Sequence, residues 1–496
     1  MAGIFRKPSV ESTIAASHEP ERALRRSLTA WDLAVMGVAV AVGAGIFSVG
    51  ATAAANYAGP AVIFSFVIAA VVCGLAIMCY AEFASTLPIA GSAYTFSYAT
   101  MGEGVAWIIG WDLILEMLLA SAVIAKFWGV YLSDALGLFG IDLPAEVALG
   151  PVTVAWGPMA VVAVFTVLLA IGTRLSTRVN AVFTVLKVAI TLFVVVAGFG
   201  YVKSANYAPF VPPAQPSPSG SALHQPLFDW MIGGAPSVYG VTGILSAAAL
   251  VFFAFIGFDV VATTAEETKD PQRTVPRGML GGLALVTVLY ILVTIVVTGM
   301  VPYTDLAASE SPSLTTAFVL VGADWAGKVI SVGIALGLTS VLMVLMLGLT
   351  RIVFAMSRDG LLPRGLSRTA PRFGTPLRLQ VGAGVVIAVI AGLSQVEVLA
   401  EMINIGTLSA FVLVSFGIPL LRRSRPDLER GFRVPWSPVL PIVSGLACIW
   451  LMLNLTTLTW LRFGAWLAAG VLIYATYSYR HSRLAKAEPE PVGQVP

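Results

Sequence analysis

The chain has 496 residues, 58% of them hydrophobic and 11% charged, with a net charge of +3 and a mean hydropathy of +0.89. A soluble domain carries roughly 25% charged residues to meet water, so this composition excludes an ordinary water-soluble globule and makes lipid the solvent. Cys73, Cys79 and Cys448 are scattered through apolar runs and suit neither a disulfide framework nor a metal site.

The chain through Arg26 is polar and charged, and the first apolar run begins near Trp31, so residues 1–28 read as a tail with no cleavable signal. Twelve helical spans follow, at about 31–53, 60–85, 95–131, 152–173, 179–201, 238–264, 277–301, 326–356, 378–394, 397–421, 437–457 and 459–479. Residues 155–172, 279–304, 379–396, 402–421, 434–461 and 463–479 contain no Asp, Glu, Lys or Arg. Each run is close to or above the roughly 20 residues that a helix needs to cross a bilayer. Long runs of this kind exclude a transmembrane barrel, whose strands are short and alternating. Residues 481–496 form a second polar tail, making 29–480 the membrane domain.

The basic residues test the count. All lysines and arginines except Lys126, Lys187, Lys203, Lys328 and Arg462 fall in the tails or in the loops after spans four, six, eight and ten. They share one face only if the spans are counted as above. Short basic loops stay cytoplasmic, so both termini are expected there, in a cell membrane, and the Pro/Ser-rich loop 203–235 is expected outside as a covering segment. The histidines, His18, His224 and His481, lie outside the spans, which excludes an intramembrane histidine relay.

Two spans are interrupted. The first contains Val42-Gly43-Ala44-Gly45-Ile46-Phe47. Each glycine weakens a helix by about 1 kcal/mol relative to Ala, and unwound backbone at membrane depth needs protein or a polar cavity to meet it. Close helix packing is the bland alternative for one glycine pair. The sixth span, Val251-Phe252-Phe253-Ala254-Phe255-Ile256-Gly257-Phe258-Asp259, breaks an aromatic run with a glycine and an acid at a comparable place, five helices on. Paired interruptions in two halves are the sequence pointer to a transporter site at an inverted repeat. Freed amides at a half-helix N-terminus suit a carboxylate and freed carbonyls suit an ammonium, so the pair suits a zwitterion.

The segments GAGIF (43–47), AEFASTLPIAGSAYTF (81–96), GWDLILE (110–116), FFAFIGFD (252–259), AEETKDPQRTVPRG (265–278) and TRIVFAMSRDGLLP (350–363) resemble the amino acid–polyamine–organocation superfamily, and within it the cationic amino acid transporter family. The resemblance implies an all-α polytopic membrane protein of the LeuT-type fold. Its 5+5 inverted repeats would span about 31–201 and 238–421, with spans 1 and 6 discontinuous and two peripheral helices at about 437–479. It implies proton-coupled, sodium-independent uptake of amino acids. By motif, the amides of Gly43, Ala44 and Gly45 would bind the substrate carboxylate, with Ala41 lining the site. The carbonyls of Phe253, Ala254 and Ile256 would bind the ammonium, and Phe252 or Phe255 would close the site from outside. A membrane enzyme is not expected, because no metal-ligand cluster, phosphate loop or soluble catalytic domain is visible. An exchanger, or a receptor without transport, is the remaining alternative.

Lys187 lies well inside span five, where a lysine costs several kcal/mol unless paired or neutral. Snorkelling is disfavoured by its nine-residue separation from Arg178. The resemblance implies that its ammonium takes the place of sodium in sodium-coupled relatives, bridging the broken first span and span eight, with Thr339 and Ser340 as neighbours. Asp112 and Glu116 are spaced i,i+4 on one face of span three. They read either as part of a buried ion pair or, for Glu116, as the group exchanging a proton with Lys187. Asp259 is a third proton-coupling candidate and equally an N-terminal cap for the second half of span six. Glu82, Glu266 and Glu267 are expected to pair with Arg358 or its neighbours as an inner gate. Met343 and Met346 share a face of span eight, as core or as a pocket wall. The resemblance implies that a bulky residue there, assigned as Met343, favours small neutral substrates such as alanine over cationic ones such as arginine. The expected partners are an L-amino acid, protons and the bilayer, with no nucleic acid, metal or cofactor. A small single-span accessory subunit is left open.

Overall fold

A computed structural model describes residues 28–86, 92–137, 140–141, 147–149, 152–172, 177–217, 221–262, 268–309, 311–370 and 374–483. Residues 1–27 and 484–496, Glu266 and Glu267 lie outside the described residues, as does the side chain of Asp259. The described residues are mostly helical, with a small antiparallel hairpin pairing Val147–Leu149 with Val152–Val154 and a two-residue pairing of Gln215–Pro216 with Ser237–Val238.

The first helix, α1 (Ala30–Ala41), starts at Thr29. Its side chain and that of Asp32 exchange bonds with each other's backbone, a capping box that satisfies two otherwise orphaned amides. The helix stops at Val42, whose backbone is extended, and resumes at Gly45 through a π turn to Val49. The chain then runs to Gly59, whose φ of +59° ends the helix. Pro60 lies in a short 3₁₀ turn (Gly59–Ala61) that leads into α2 (Val62–Thr86).

The helices α3 (Ser92–Thr100) and α4 (Glu103–Gly137) come next. The expected third span at 95–131 is therefore divided, because the chain turns at Gly102 (φ +105°) and the membrane helix starts at Glu103. Beyond them lie α5 (Trp156–Ala170), α6 (Thr177–Phe199) and α7 (Gly240–Val251). After α7 a 3₁₀ turn (Phe252–Phe255), extended Ile256 and Gly257 interrupt the chain before α8 (Phe258–Ala262). The remaining long helices are α9 (Pro271–Met300), α10 (Asp324–Arg358), α11 (Leu377–Leu393), α12 (Val396–Ser424), α13 (Val439–Leu453) and α14 (Thr457–Ile473).

Among the described residues, seven helical stretches are long and apolar enough to cross a membrane, and five shorter apolar helices accompany them. Their outer surface is what lipid requires: Val182, Val185, Val196 and Phe199 on α6 are each at least 67% exposed. In water such a patch would aggregate. The charges are inside instead, with Glu82, Glu103, Asp112, Glu116 and Lys187 all buried. At 35 residues each, α4 and α10 run about 50 Å and pack along one another through the centre.

On the periphery, α14 is fastened to α4 by a stack of Trp107, Trp111 and Trp466. The indole of Trp107 donates to the Gly470 carbonyl and that of Trp111 to the Trp466 carbonyl, both at 2.9 Å. Glu82 corrects an expectation. Its carboxylate takes a two-pronged bond from Arg422 of α12 (2.8 and 2.6 Å) and the Val434 amide (2.6 Å), with Arg430 at 3.8 Å. Arg358 does not hold it. The end of α12 lies alongside the end of α2, and a planar guanidinium matches a carboxylate better than any single contact would.

Candidate functional site

The two breaks meet face to face. A Cβ added to Gly45 would stand 2.3 Å from the Ala254 Cα, so only glycine lets the resumed first span touch the 3₁₀ turn of the sixth. Gly257 has a φ of +111° and would place a Cβ 2.3 Å from Val40 Cγ1, so α8 also closes directly on α1. Gly45 is thus required by the nearby Ala254 backbone, and Gly257 by its positive φ and by the Val40 side chain packed against it.

Between the breaks is a cavity of about 30 Å³, as space open to the centre of a water molecule. It is walled by Ala41, Gly43, Ala44 and Gly45 on one side and by Phe253, Ile256 and Gly257 on the other. Met117, Ala120 and Ile124 of α4 and Val341 and Leu345 of α10 complete it. The first amides of a helix have no acceptor one turn back. At the resumed first span those amides belong to the Gly43–Gly45 segment, inside the cavity wall.

Backbone carbonyls around the two breaks are met by side chains from four other helices. Lys187 of α6 is buried, and its ammonium donates to the Ala39 carbonyl. Tyr290 of α9 places its hydroxyl between the carbonyls of Ala41 (2.5 Å) and Ala254 (2.9 Å), one contact on each broken span. Asn404 of α12 donates to Ala249 and Leu250 at the end of α7 (2.8 and 3.0 Å). Tyr131 of α4 donates to Phe47 at 2.9 Å and bonds the Ser48 hydroxyl at 3.0 Å. Unwound backbone in a membrane survives only with such partners. Tyr131, Tyr290 and Asn404 were missed in the sequence, where each is one polar residue in an apolar run.

Several expected residues are placed differently. Phe252 and Phe255 are fully buried, Phe252 against Phe411 and Phe255 against Phe66 and Tyr290. In a 3₁₀ turn residues three apart eclipse one another, so these two leave the cavity side to Phe253. Met343 is buried but outside the cavity wall; Val341 and Leu345, four apart and hence on one helix face, line it instead. Lys187 does lie between α1 and α10, but against Gly337: a Cβ there would be 2.6 Å from Lys187 Cγ. Thr339 is taken by the Trp128 indole (3.1 Å), and Ser340 donates to the Gly337 carbonyl (3.0 Å).

Asp112 accepts a bond from Ser409 of α12 (2.6 Å), so its contact is a hydroxyl rather than a cation. Glu116 is buried one turn further along α4, and Ala39 is the acceptor for the Lys187 ammonium among the described residues. Asp259 lies in the first turn of α8. No cluster of His, Cys, Asp and Glu suited to a metal occurs among the described residues.

Two larger cavities meet at Leu250 and Glu397. One of about 180 Å³ is lined by Val49, Thr52, Lys126, Leu250 and Glu397, among others. The other, of about 600 Å³, shares Leu250 and Glu397 and reaches the loop at Gln215–Ser217 and His224–Pro226.

Paired broken helices with a cavity between them, inside an apolar helical bundle, define a multi-pass membrane transporter. The family model for amino acid permeases matches residues 28–478, and the chain belongs to that family. It is 40% identical over 491 residues to the methylthioribose transporter of Bacillus subtilis, covering 98% of this chain and 100% of that one. It is also 40% identical over 488 residues to the branched-chain amino acid permease BcaP of the same organism, covering 97% and 99%. The vacuolar cationic amino acid transporter 2 of Arabidopsis thaliana is 38% identical over 430 residues, 86% of this chain and 64% of that protein.

Proposed function

We propose that the protein imports neutral aliphatic L-amino acids together with protons, by alternating access around the cavity between the two breaks. The observation that carries this reading is the composition of the cavity wall. Backbone from Gly43–Gly45 and from Phe253 and Ile256 supplies donors and acceptors for a carboxylate and an ammonium, and every side chain in the wall is apolar. A cationic side chain would leave a charge there without a counter-charge, which costs several kcal/mol. A ribose would need side-chain or backbone partners for several hydroxyls at once. The likeness to a branched-chain permease supports the aliphatic reading, and the likeness to a methylthioribose transporter names the competitor to test against it.

The wider architecture belongs to the same proposal. Twelve crossings arranged as two inverted five-helix repeats, with α13 and α14 peripheral, put the breaks at the repeat interface, and both termini face the cytoplasm. In the mechanism, protonated Lys187 ties the end of α1 to α10 through the Ala39 carbonyl and the Gly337 notch. Loss of its proton weakens the tie and lets α1 swing. Glu116, and Asp259 near the start of α8, are the carboxylates proposed to pass that proton. In reconstituted vesicles, an inward proton gradient should drive accumulation of labelled alanine or valine, with excess arginine or methylthioribose competing weakly. Uptake that requires sodium, or for which arginine is the better competitor, would overturn the reading.

A further inference from the structure

A separate cavity of about 230 Å³ lies between α4, α12 and the last two helices, α13 and α14. Its walls are aliphatic and aromatic, including Ile108, Leu413, Ile449 and Phe463. Into this apolar lining comes the carboxyl of Asp112, a residue only 1% exposed. Ser409 donates to its Oδ2 at 2.6 Å, while Oδ1 has no protein partner. A buried acceptor left open is unfavourable by about tenfold or more in an equilibrium. The groove is open-sided, with Ile108, Leu413 and Ile449 only half-buried; one water needs only about 10–15 Å³ of such space and further polar partners, so water would fill a small corner and leave the apolar remainder to hydrocarbon. An apolar groove with one buried acceptor left open suits a molecule that brings a hydrocarbon chain and a single donor.

We infer that this cavity binds a membrane-soluble aliphatic amphiphile of the primary-alcohol class. Its single hydroxyl donates to Asp112 Oδ1 and its chain fills the space between α12 and the α13–α14 pair. The inference is independent of which substrate the transporter carries.

The test uses the full-length protein in lipid vesicles and a diazirine-bearing octanol as photolabel, with labelled peptides mapped by mass spectrometry. Labelling should saturate on the segments around Ile108, Leu413 and Ile449. 1-Octanol should compete at a concentration about tenfold or more below that of its isomer heptyl methyl ether, which has no donor. Asp112→Leu should abolish that preference, and Ile449→Trp, which fills the cavity and leaves Asp112 in place, should abolish the labelling. Non-saturable labelling, equal competition by alcohol and ether, or an alcohol preference that survives Asp112→Leu would each overturn the inference.

Discussion

Gly45→Ala adds one methyl group at the closest approach of the two broken spans. Its Cβ would lie 2.3 Å from the Ala254 Cα, 2.6 Å from the Ala254 Cβ and 2.9 Å from the Ala254 amide nitrogen. Carbon atoms rest about 3.5–4.0 Å apart, so the breaks must part by more than 1 Å. No flexible side chain can yield instead, because two of the three atoms are backbone. Overpacking of this kind costs about 1–3 kcal/mol, and here it also moves the Gly43–Gly45 amides away from the Phe253–Ile256 carbonyls. If those groups hold the two ends of one substrate, affinity should fall about tenfold or more while the protein still folds. The assay is equilibrium binding of labelled alanine to purified protein, with thermal unfolding and vesicle uptake measured alongside. A variant that binds and transports alanine like the parent would refute the claim that both breaks grip the same molecule.

Other expectations rest on single contacts. Lys187→Met keeps the length of the stem against Gly337 and removes the bond to the Ala39 carbonyl; gradient-driven accumulation should be lost while counterflow exchange persists, and intact accumulation would remove Lys187 from coupling. Tyr290→Phe leaves the Ala41 and Ala254 carbonyls without that hydroxyl, which at about 1–3 kcal/mol for buried groups should lower the melting temperature and weaken substrate binding together. Leu345→Ser should widen the range of side chains accepted in competition uptake, whereas Met343→Ser, outside the wall, should leave the profile unchanged.

The breaks were legible because their signals are local. A glycine pair in one turn, or Gly257 ahead of an acid, interrupts an apolar run wherever the helix is packed. Lys187 was legible because burying an ammonium is costly in any surroundings. The contacts around them were not. Glu82 and Arg422 are 340 positions apart, and their meeting depends on how α2 and α12 lie in the bundle. Helix phase was equally hidden: with nearly every position of span eight apolar, nothing distinguishes the face of Val341 and Leu345 from that of Met343. Gly337 was overlooked as the neighbour of Lys187 because polar Thr339 and Ser340 suit an ammonium better on paper, while the fold uses the glycine for room. Tyr290 and Asn404 act by reaching backbone on other helices, and a hydropathy profile contains no trace of that.

Ala120 offers the most direct check on the site itself, because it lines the cavity from α4 between the two breaks. The three native cysteines are buried, so an Ala120→Cys variant can be followed with a small thiol reagent. Saturating L-alanine should slow its modification about tenfold or more, arginine should not, and the protection should disappear when Gly45→Ala is added. Modification at the same rate with and without bound substrate would place the amino acid somewhere other than between the broken spans.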